Sequence, residues 1–421
     1  MLEIANIRNN AEEVKNRLAV KNFKELHLID EAVAIDAKRR SIQLLLDENL
    51  NKQNTIAKEI GELFKQGKKA EADGRKQDSA QLKEQSKDLE TQLNAQEEAL
   101  KDVLVRIPNT PSKQVPAGKT PEDNEVVKQV GEIPTLNANA QPHWDLAKKY
   151  DLFDLELGVK ITGAGFPVYK GKGAKLQRAL VAFFLDNAIE AGYLEIIPPH
   201  MVNADSAFGT GQLPDKEGQM YYMGLDQFYM IPTAEVPVTN IVRDEIVDKL
   251  PIKFAAHSPC FRREAGSYGK DVRGLNRVHQ FEKVEIVQIV HPDKSYAVLE
   301  EMVQHVEGLL QKLELPYRIL RLCGGDMSFG SALTYDFEVY SAAQKRWLEV
   351  SSVSNFETFQ SNRMKVRFRD ELKKTRLVHT LNGSALALPR IVASLLENHQ
   401  AEDGINIPLA LQPYTMYTKI V

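Results

Sequence analysis

The sequence predicts an α+β protein in two parts: an all-α antiparallel hairpin of long helices, then a domain of antiparallel strands flanked by helices. Three observations carry this. Residues 30–64 contain no proline, and Ile35, Ile42, Ile56 and Leu63 fall on one heptad position with Leu46 and Ile60 on the adjoining one. A second Pro-free run places Leu82, Leu89, Leu93, Leu100 and Val103 at steps of mostly four and seven before Ile107-Pro108 closes it. Further on, residues 281–289 alternate so that Phe281, Val287 and Ile289 share one face, and the long polar loop leading there from residues 261–264 reads as a functional β-hairpin connection.

With 421 residues, 43% of them hydrophobic, the chain can build two or three domains. A net charge of −4 neither supports nor excludes a polyanionic partner, which would have to meet local basic patches. Cys260 and Cys323 are far apart and form no Cys/His cluster, so neither a disulfide framework nor a zinc site is expected, and a reducing, cytoplasmic setting fits. Neither a leader nor a membrane span is expected, because no apolar stretch is long enough.

The two seams can be buried only on one another, which predicts a hairpin over about 30–107 within an N-terminal domain 1–108. An arm of ~35 residues reaches roughly 50 Å. Lys65 to Gly74, with two glycines, is expected to interrupt the helices. Asn49 and Gln53 break the seam and point to a weaker pair than a zipper. A dimerisation coiled coil or half of a four-helix bundle has the same periodicity. Lys65, Lys68, Lys69, Arg75 and Lys76 at the tip are interleaved with acids.

Residues 109–142, rich in Pro, Gly, Thr and Asn, read as a linker with an extended piece at Glu125–Val130, and a second domain spans 143–421. A helix is expected from His143 to about Leu157 and another over Ala174–Ala191, stopped by Gly192. Gly171-Lys172 is followed by Gly173 where a phosphate loop needs Ser or Thr, so that reading is rejected. Residues 193–197 come next as a strand ending in Pro198-Pro199, and Val298–Leu313 is an amphipathic helix. Tyr335–Tyr340 and Trp347–Asn355 alternate as strands, the second carrying Glu349, Val350, Ser351 and Ser352. A strand, a small-residue turn and a helix beginning near Pro389 put Arg390 in a first turn, where its side chain and the helix dipole favour an anion.

Taken alone, Arg262 suits a phosphate, Thr233 with Glu235 is either a helix cap or an ammonium site, and Glu349 with Ser352 offers hard oxygens that suit Mg²⁺. Their order decides between these readings. Helix-Gly-strand-Pro at 174–199, Phe261-Arg262-Arg263-Glu264 with Arg273 to Phe281, and His379 to Arg390 resemble the three ordered signatures of class II aminoacyl-tRNA synthetases. With Thr233-Ala234-Glu235 and the N-terminal hairpin, the chain looks most like the seryl-tRNA synthetases over nearly its whole length. The resemblance implies serine–tRNA ligation: ATP activates L-serine as an adenylate, and the seryl group passes to tRNA(Ser), and to tRNA(Sec) where present. It implies a homodimer built on the first signature, and an arm that embraces the tRNA. Arg262 and Arg390 would act on phosphate. The ATP set is Arg262, Arg263, Glu264, Val278, Phe281, Glu349, Val350, Ser351, Ser352 and Arg390, with Mg²⁺ on Glu349 and Ser352. Thr233, Ala234, Glu235, Glu285 and Ser384 would line the serine pocket, with hydroxyl and ammonium unassigned among them.

Three departures stand out. Ala385 and Pro389 replace expected glycines, Ala385 then taking the glycine's dihedrals, and Arg263 replaces the usual serine. A threonine-charging relative would need zinc ligands that the sequence lacks, a carrier-protein ligase would have little use for the arm, and a non-catalytic coiled-coil protein would not need Arg262, Glu285 and Arg390 together.

Overall fold

The computed structural model describes residues 1–215, 217–264 and 273–421, so the Gly-rich stretch 265–272 of the long loop lies outside the described residues. Two compact units result: Met1–Ala19 with Phe23–Pro108, and Val20–Asn22 with Asn109–Val421. Among the described residues no helix is long and apolar enough to cross a membrane.

In the first unit, α1 (His27–Lys65) and α2 (Lys69–Leu104) pack antiparallel, Asn49 opposite Ser86 and Glu59 opposite Arg75. Gly67 ends α1. At φ +73° it lets its own N–H reach Phe64 O (3.1 Å) and Lys68 N–H reach Leu63 O (3.0 Å), closing two orphan carbonyls. The interruption is therefore shorter than residues 65–74 predict. Gly74 lies inside α2, where a glycine costs only ~1 kcal/mol relative to alanine, little beside the packing of the arm, and the adjacent Arg75 pairs with Glu59 (3.2 Å) across it. Asn49 and Gln53 form a satisfied polar layer: both amides donate to Ser86 Oγ (3.3 and 2.6 Å) and to Leu82 O (3.2 and 3.0 Å). Such a layer fixes register at some cost in stability.

The second unit is built on an eight-stranded sheet. Its strands are β1 (Glu125–Val130), β2 (Leu194–Glu195), β3 (Ile252–Phe261), β4 (Gln280–Val290), β5 (Tyr317–Arg321), β6 (Leu333–Ser341), β7 (Arg346–Asn355) and β8 (His379–Ala387). They lie in the order β1-β5-β6-β7-β8-β4-β3-β2, antiparallel throughout except β2 beside β3. Helices α3 (His143–Tyr150), α4 (Gly171–Glu190), α5 (Ser295–Lys312) and α6 (Leu388–Asn398) belong to the same unit. Their apolar sides bury Val284 and Ile286 of β4, Phe337 of β6, Val350 and Val353 of β7 and Leu381 of β8 in one core. The opposite face of the sheet is left for the site.

Several elements differ from the reading of the sequence. The helix expected over 143–157 breaks into α3 and a second short helix at Leu155–Ile161, because Asp151 is left-handed (φ +53°) and Asp154 caps a new start through Leu157 N–H (2.8 Å). The extended piece of the linker is an edge strand paired with β5, tied by Arg321 to Glu125 (2.6 Å). Residues 261–264 do not begin a strand; Phe261 ends one, and Arg262 N–H still bonds His279 O (2.9 Å).

Two β-bulges shape the open face of the sheet. On β7, Phe337 faces Ser351 and Glu338 faces Glu349, which leaves Val350 as an extra residue. Glu349 and Ser352, three apart and so on opposite faces of a regular strand, are thereby brought to the same side. On β8, two residues separate Ser384 from Ala387 where one separates Glu285 from Lys283. Leu386 in this bulge has φ +113°, whereas Ala385 has no positive φ. The strain expected at Ala385 has moved one residue along.

Candidate active site

A cavity of ≈ 400 Å³ opens on the sheet face opposite the helices. Period-two geometry on β4 presents Phe281, Lys283 and Glu285 to it, while Val284 and Ile286 point into the core. Beside them β8 contributes Asn382 and Ser384, and β7 contributes residues 349–352. Arg262 enters from the end of β3, and Arg390 from the first turn of α6.

One cluster combines two carboxylates with a single ammonium. Lys283 Nζ lies 2.5 Å from Glu285 Oε2 and donates to Thr233 Oγ1 at 2.8 Å. Thr233 Oγ1 lies 3.3 Å from Glu285 Oε2 and accepts the Glu235 N–H at 3.2 Å. Glu285 thus has a counter-ion. Glu235 has instead the neutral amide of Gln360, whose Nε2 donates to its Oε1 at 2.6 Å. That amide's orientation is fixed, since Nε2 also donates to Thr210 O (3.1 Å) while Oε1 accepts from Thr380 (2.7 Å). Burial, and then the negative charge of Glu285, push the Glu235 carboxyl up to about 7.

A second cluster is cationic and planar. The Arg262 guanidinium sits 5.2 Å from the Phe281 ring centroid, and its Nε donates to Pro232 O (3.3 Å). Arg390 Nε donates to Asn276 O (3.0 Å) and its NH1 to Glu349 O (2.6 Å), with Glu349 Oε2 at 3.6 Å. Glu264, left-handed at φ +49°, pairs with Arg277 (2.7 Å). His279 seats the returning loop by stacking on Phe166 (5.5 Å) and by its N–H to Gly165 O (2.8 Å). A side chain at Gly165 would be strained at φ +83°, and its Cβ, 2.3 Å from the imidazole, would displace the ring.

Behind the β7 bulge, Asp336 stands opposite Ser352, its Oδ1 buried without a partner. Burial first, then the charge of Glu349, hold its carboxyl well above the ordinary range. An orphaned carboxylate oxygen beneath Glu349 and Ser352 is the donor chemistry a hard cation prefers. Among the described residues no three His, Cys, Asp or Glu side chains gather to hold a metal unaided.

Residues 1–111 match the family described as "Seryl-tRNA synthetase N-terminal domain", and residues 223–399 the "tRNA synthetase class II core domain (G, H, P, S and T)". The serine–tRNA ligase of Salinibacter ruber is 50% identical over 424 residues, covering 100% of this chain and 99% of that protein. The chain belongs to the seryl-tRNA synthetase family. Solved members superpose on it closely. The seryl-tRNA synthetase of Pyrococcus horikoshii complexed with ATP gives a TM-score of 0.92 at 34% identity, covering 100% of this chain and 99% of that one. The cytoplasmic enzyme of Naegleria fowleri in complex with AMP gives 0.87 at 26% identity, covering 100% and 98%.

Of the residues that the seryl-tRNA synthetase resemblance names, Thr233, Glu235, Arg262, Glu264, Val278, Phe281, Glu285, Glu349, Val350, Ser351, Ser352, Ser384 and Arg390 line the cavity. Arg263 and Ala234 do not. The Arg263 guanidinium lies 6.0 Å from the Tyr221 ring centroid and the Arg263 backbone N–H donates to Gln219 O (2.9 Å), while Ala234 is buried among Val238, Phe254 and Val287. Lys283, Asn382, Asn276 and Ser354 line the cavity as well and were not singled out in the sequence. For Lys283 and Asn382 a signal existed, since each lies two residues before a named strand residue and so on the same face.

Proposed function

We propose that this seryl-tRNA synthetase family member, an ATP-dependent aminoacyl-tRNA ligase, activates L-serine and charges tRNA(Ser), and tRNA(Sec) where present. The observation that carries the reading is one cavity holding a carboxylate-rich cluster next to two cavity-facing arginines. Serine's ammonium needs a carboxylate without a counter-ion. Glu235 meets that need, whereas Glu285 is already neutralised by Lys283 and is suited to accept from the side-chain hydroxyl. Ser384, the cross-strand partner of Glu285, forms the wall beside the hydroxyl.

In the first step serine's carboxylate, ionised at neutral pH, attacks the α-phosphorus of ATP, and pyrophosphate leaves. Arg262 binds the α-phosphate and stacks beside Phe281, which carries the adenine, while Glu264 accepts from the adenine amine. Arg390 binds the distal phosphates. Catalysis then rests on in-line placement and charge stabilisation. Glu349 and Ser352 would hold Mg²⁺, which when bound offsets phosphate charge. In the second step a ribose hydroxyl of the terminal tRNA adenosine attacks the acyl carbon, and AMP leaves.

We place tRNA recognition on the N-terminal domain 1–108, whose long hairpin suits an extended RNA arm. We also propose a homodimer through the surface where Leu194, Ile197 and Met201 are exposed at 62%, 85% and 49%. The two free, buried cysteines fit a cytoplasmic setting. Exchange of labelled pyrophosphate into ATP, run with serine, threonine, alanine and glycine, tests the reading. Serine alone is expected to support it, and Arg262→Ala to lower it about 10²–10³-fold. Exchange driven equally by threonine, or within threefold of wild type in the variant, would overturn the assignment.

A further inference from the structure

The cavity is braced from outside by a buried acid that does not line it. Glu397, near the end of α6, has a fully buried side chain and gathers four donors. Its Oε1 accepts the His143 N–H (3.0 Å), His143 Nδ1–H (2.7 Å) and Gln344 Nε2–H (3.0 Å), and its Oε2 accepts the Ser341 hydroxyl. Burial pushes its carboxyl up, but the bonds from His143 and Ser341 outweigh this and hold it below the usual range.

Two of these donors lead to the same dipeptide. His143 Nε2 accepts the Leu275 N–H at 2.9 Å; a backbone N–H can only donate, so the ring must be neutral with its proton on Nδ1. Gln344 Oε1 accepts from Asn276 Nδ2 at 3.0 Å. Asn276 O in turn accepts from Arg390 Nε at 3.0 Å. The approach is tight enough that Gly274, at φ +67°, has no room for a Cβ, which would lie 2.2 Å from His143 Nε2. Leu275, Asn276 and Arg390 line the cavity; Glu397, His143 and Gln344 do not. Asn276 Oδ1 is buried without a partner.

We infer that Glu397, acting through His143 and Gln344, is a positioning residue that clamps residues 275–276 and, through the Asn276 carbonyl, aims the Arg390 guanidinium at the nucleotide phosphates. The inference rests on the proposed serine-activating function. Its physical content is that α6 carries both Arg390 and the acid that fixes Arg390's backbone partner, so guanidinium and acceptor are set by one rigid element. The clamp bears on the nucleotide and leaves the Thr233, Glu235 and Glu285 cluster untouched.

Two substitutions at His143 separate the clamp from mere core filling. Gln can place its amide oxygen where Nε2 stands and so keep an acceptor for Leu275 N–H, whereas Asn overlays Nδ1, keeps the donor to Glu397 and loses that acceptor. In serine-dependent pyrophosphate exchange, His143→Asn is expected to raise the KM for ATP roughly tenfold, the worth of one hydrogen bond to a buried group. The KM for serine should stay within about twofold, and His143→Gln should fall closer to wild type on both constants. Gln344→Leu, which cuts the other arm at a half-buried position, should also raise the KM for ATP alone, and it decides the matter if His143→Asn does not fold. Equal rises in both KM values, a milder effect for Asn than for Gln, or an unchanged KM for ATP in Gln344→Leu would overturn the clamp. Wild-type protein without serine-dependent exchange would overturn the function reading instead.

Discussion

Replacing Glu235 by glutamine is expected to stabilise the protein at pH 8 while abolishing serine activation. Glu235 is only 9% exposed, and its carboxyl is pushed from 4.5 to about 7, by burial first and by Glu285 second. Between those two values the unfolded chain releases its proton while the folded chain keeps it. Stability contributed by this group is therefore greatest below pH 4.5, falls as pH rises, and stays low above about 7. The full loss is about 3 kcal/mol, from 2.5 pH units at ~1.36 kcal/mol each. Glutamine mimics the protonated acid at every pH and can still accept from Gln360, so it removes that loss. The two tryptophans, Trp144 and Trp347, both lie in the second unit, so their fluorescence in urea reports its unfolding. The variant should be more stable than wild type by about 3 kcal/mol at pH 8 and by under about 1 kcal/mol at pH 5. If Glu235 binds the ammonium as proposed, wild-type kcat/KM for serine should rise about tenfold from pH 6 to 8, as its carboxylate forms. A pH-independent gap between variant and wild type would refute the buried-acid argument.

The arm and the serine pocket can each be tested separately. Joining Arg40 to Ala95 by a short turn removes the outer arm but spares Asp36, held by Arg8 (2.6 Å) and Arg39 (2.9 Å); serine-dependent exchange should persist while tRNA charging falls sharply, and full-rate charging would leave the arm structural only. Glu285→Ala should narrow the serine-to-alanine ratio in kcat/KM, since rejection of a ligand lacking a hydroxyl depends on leaving a buried polar group unpaired, whereas Ser384→Gly should mainly relax the exclusion of threonine; an unchanged serine-to-alanine ratio removes Glu285 from hydroxyl recognition.

What was legible in the sequence was periodic or local. The hairpin seams, the alternation on β4 and the helix carrying Arg390 each repeat a spacing that side-chain geometry enforces. Gly67 was legible as punctuation, but Gly74 was misread, because a glycine inside a helix costs little beside the packing of the arm. The bulges were not legible. One extra residue breaks period two, and only cross-strand pairing reveals that Val350 carries Glu349 and Ser352 to one face or that the strain lies at Leu386. Contacts across long sequence separations were equally hidden, such as Gln360 with Glu235 and Glu397 with His143.

The β4 strand explains how so few residues can serve a ligand with unlike parts. Side chains two apart on one face of a strand stand about 7 Å apart, so Phe281, Lys283 and Glu285 set out an aromatic face, an ammonium and a carboxylate in fixed succession. Val287 and Ile289 continue the same face into an apolar cluster that closes it off. A one-residue slip would turn all three toward the core and bring Glu282 and Val284 to the cavity. That slip is prevented on both sides: ten consecutive residue pairs join β4 to β3, and the bulged pairing with β8 sets Glu285 beside Ser384. The register that places the polar groups is therefore held by the backbone ladder and the apolar end of the strand, which leaves the polar groups free to be arranged for a ligand at a cost in stability, as the raised carboxyl of Glu235 attests.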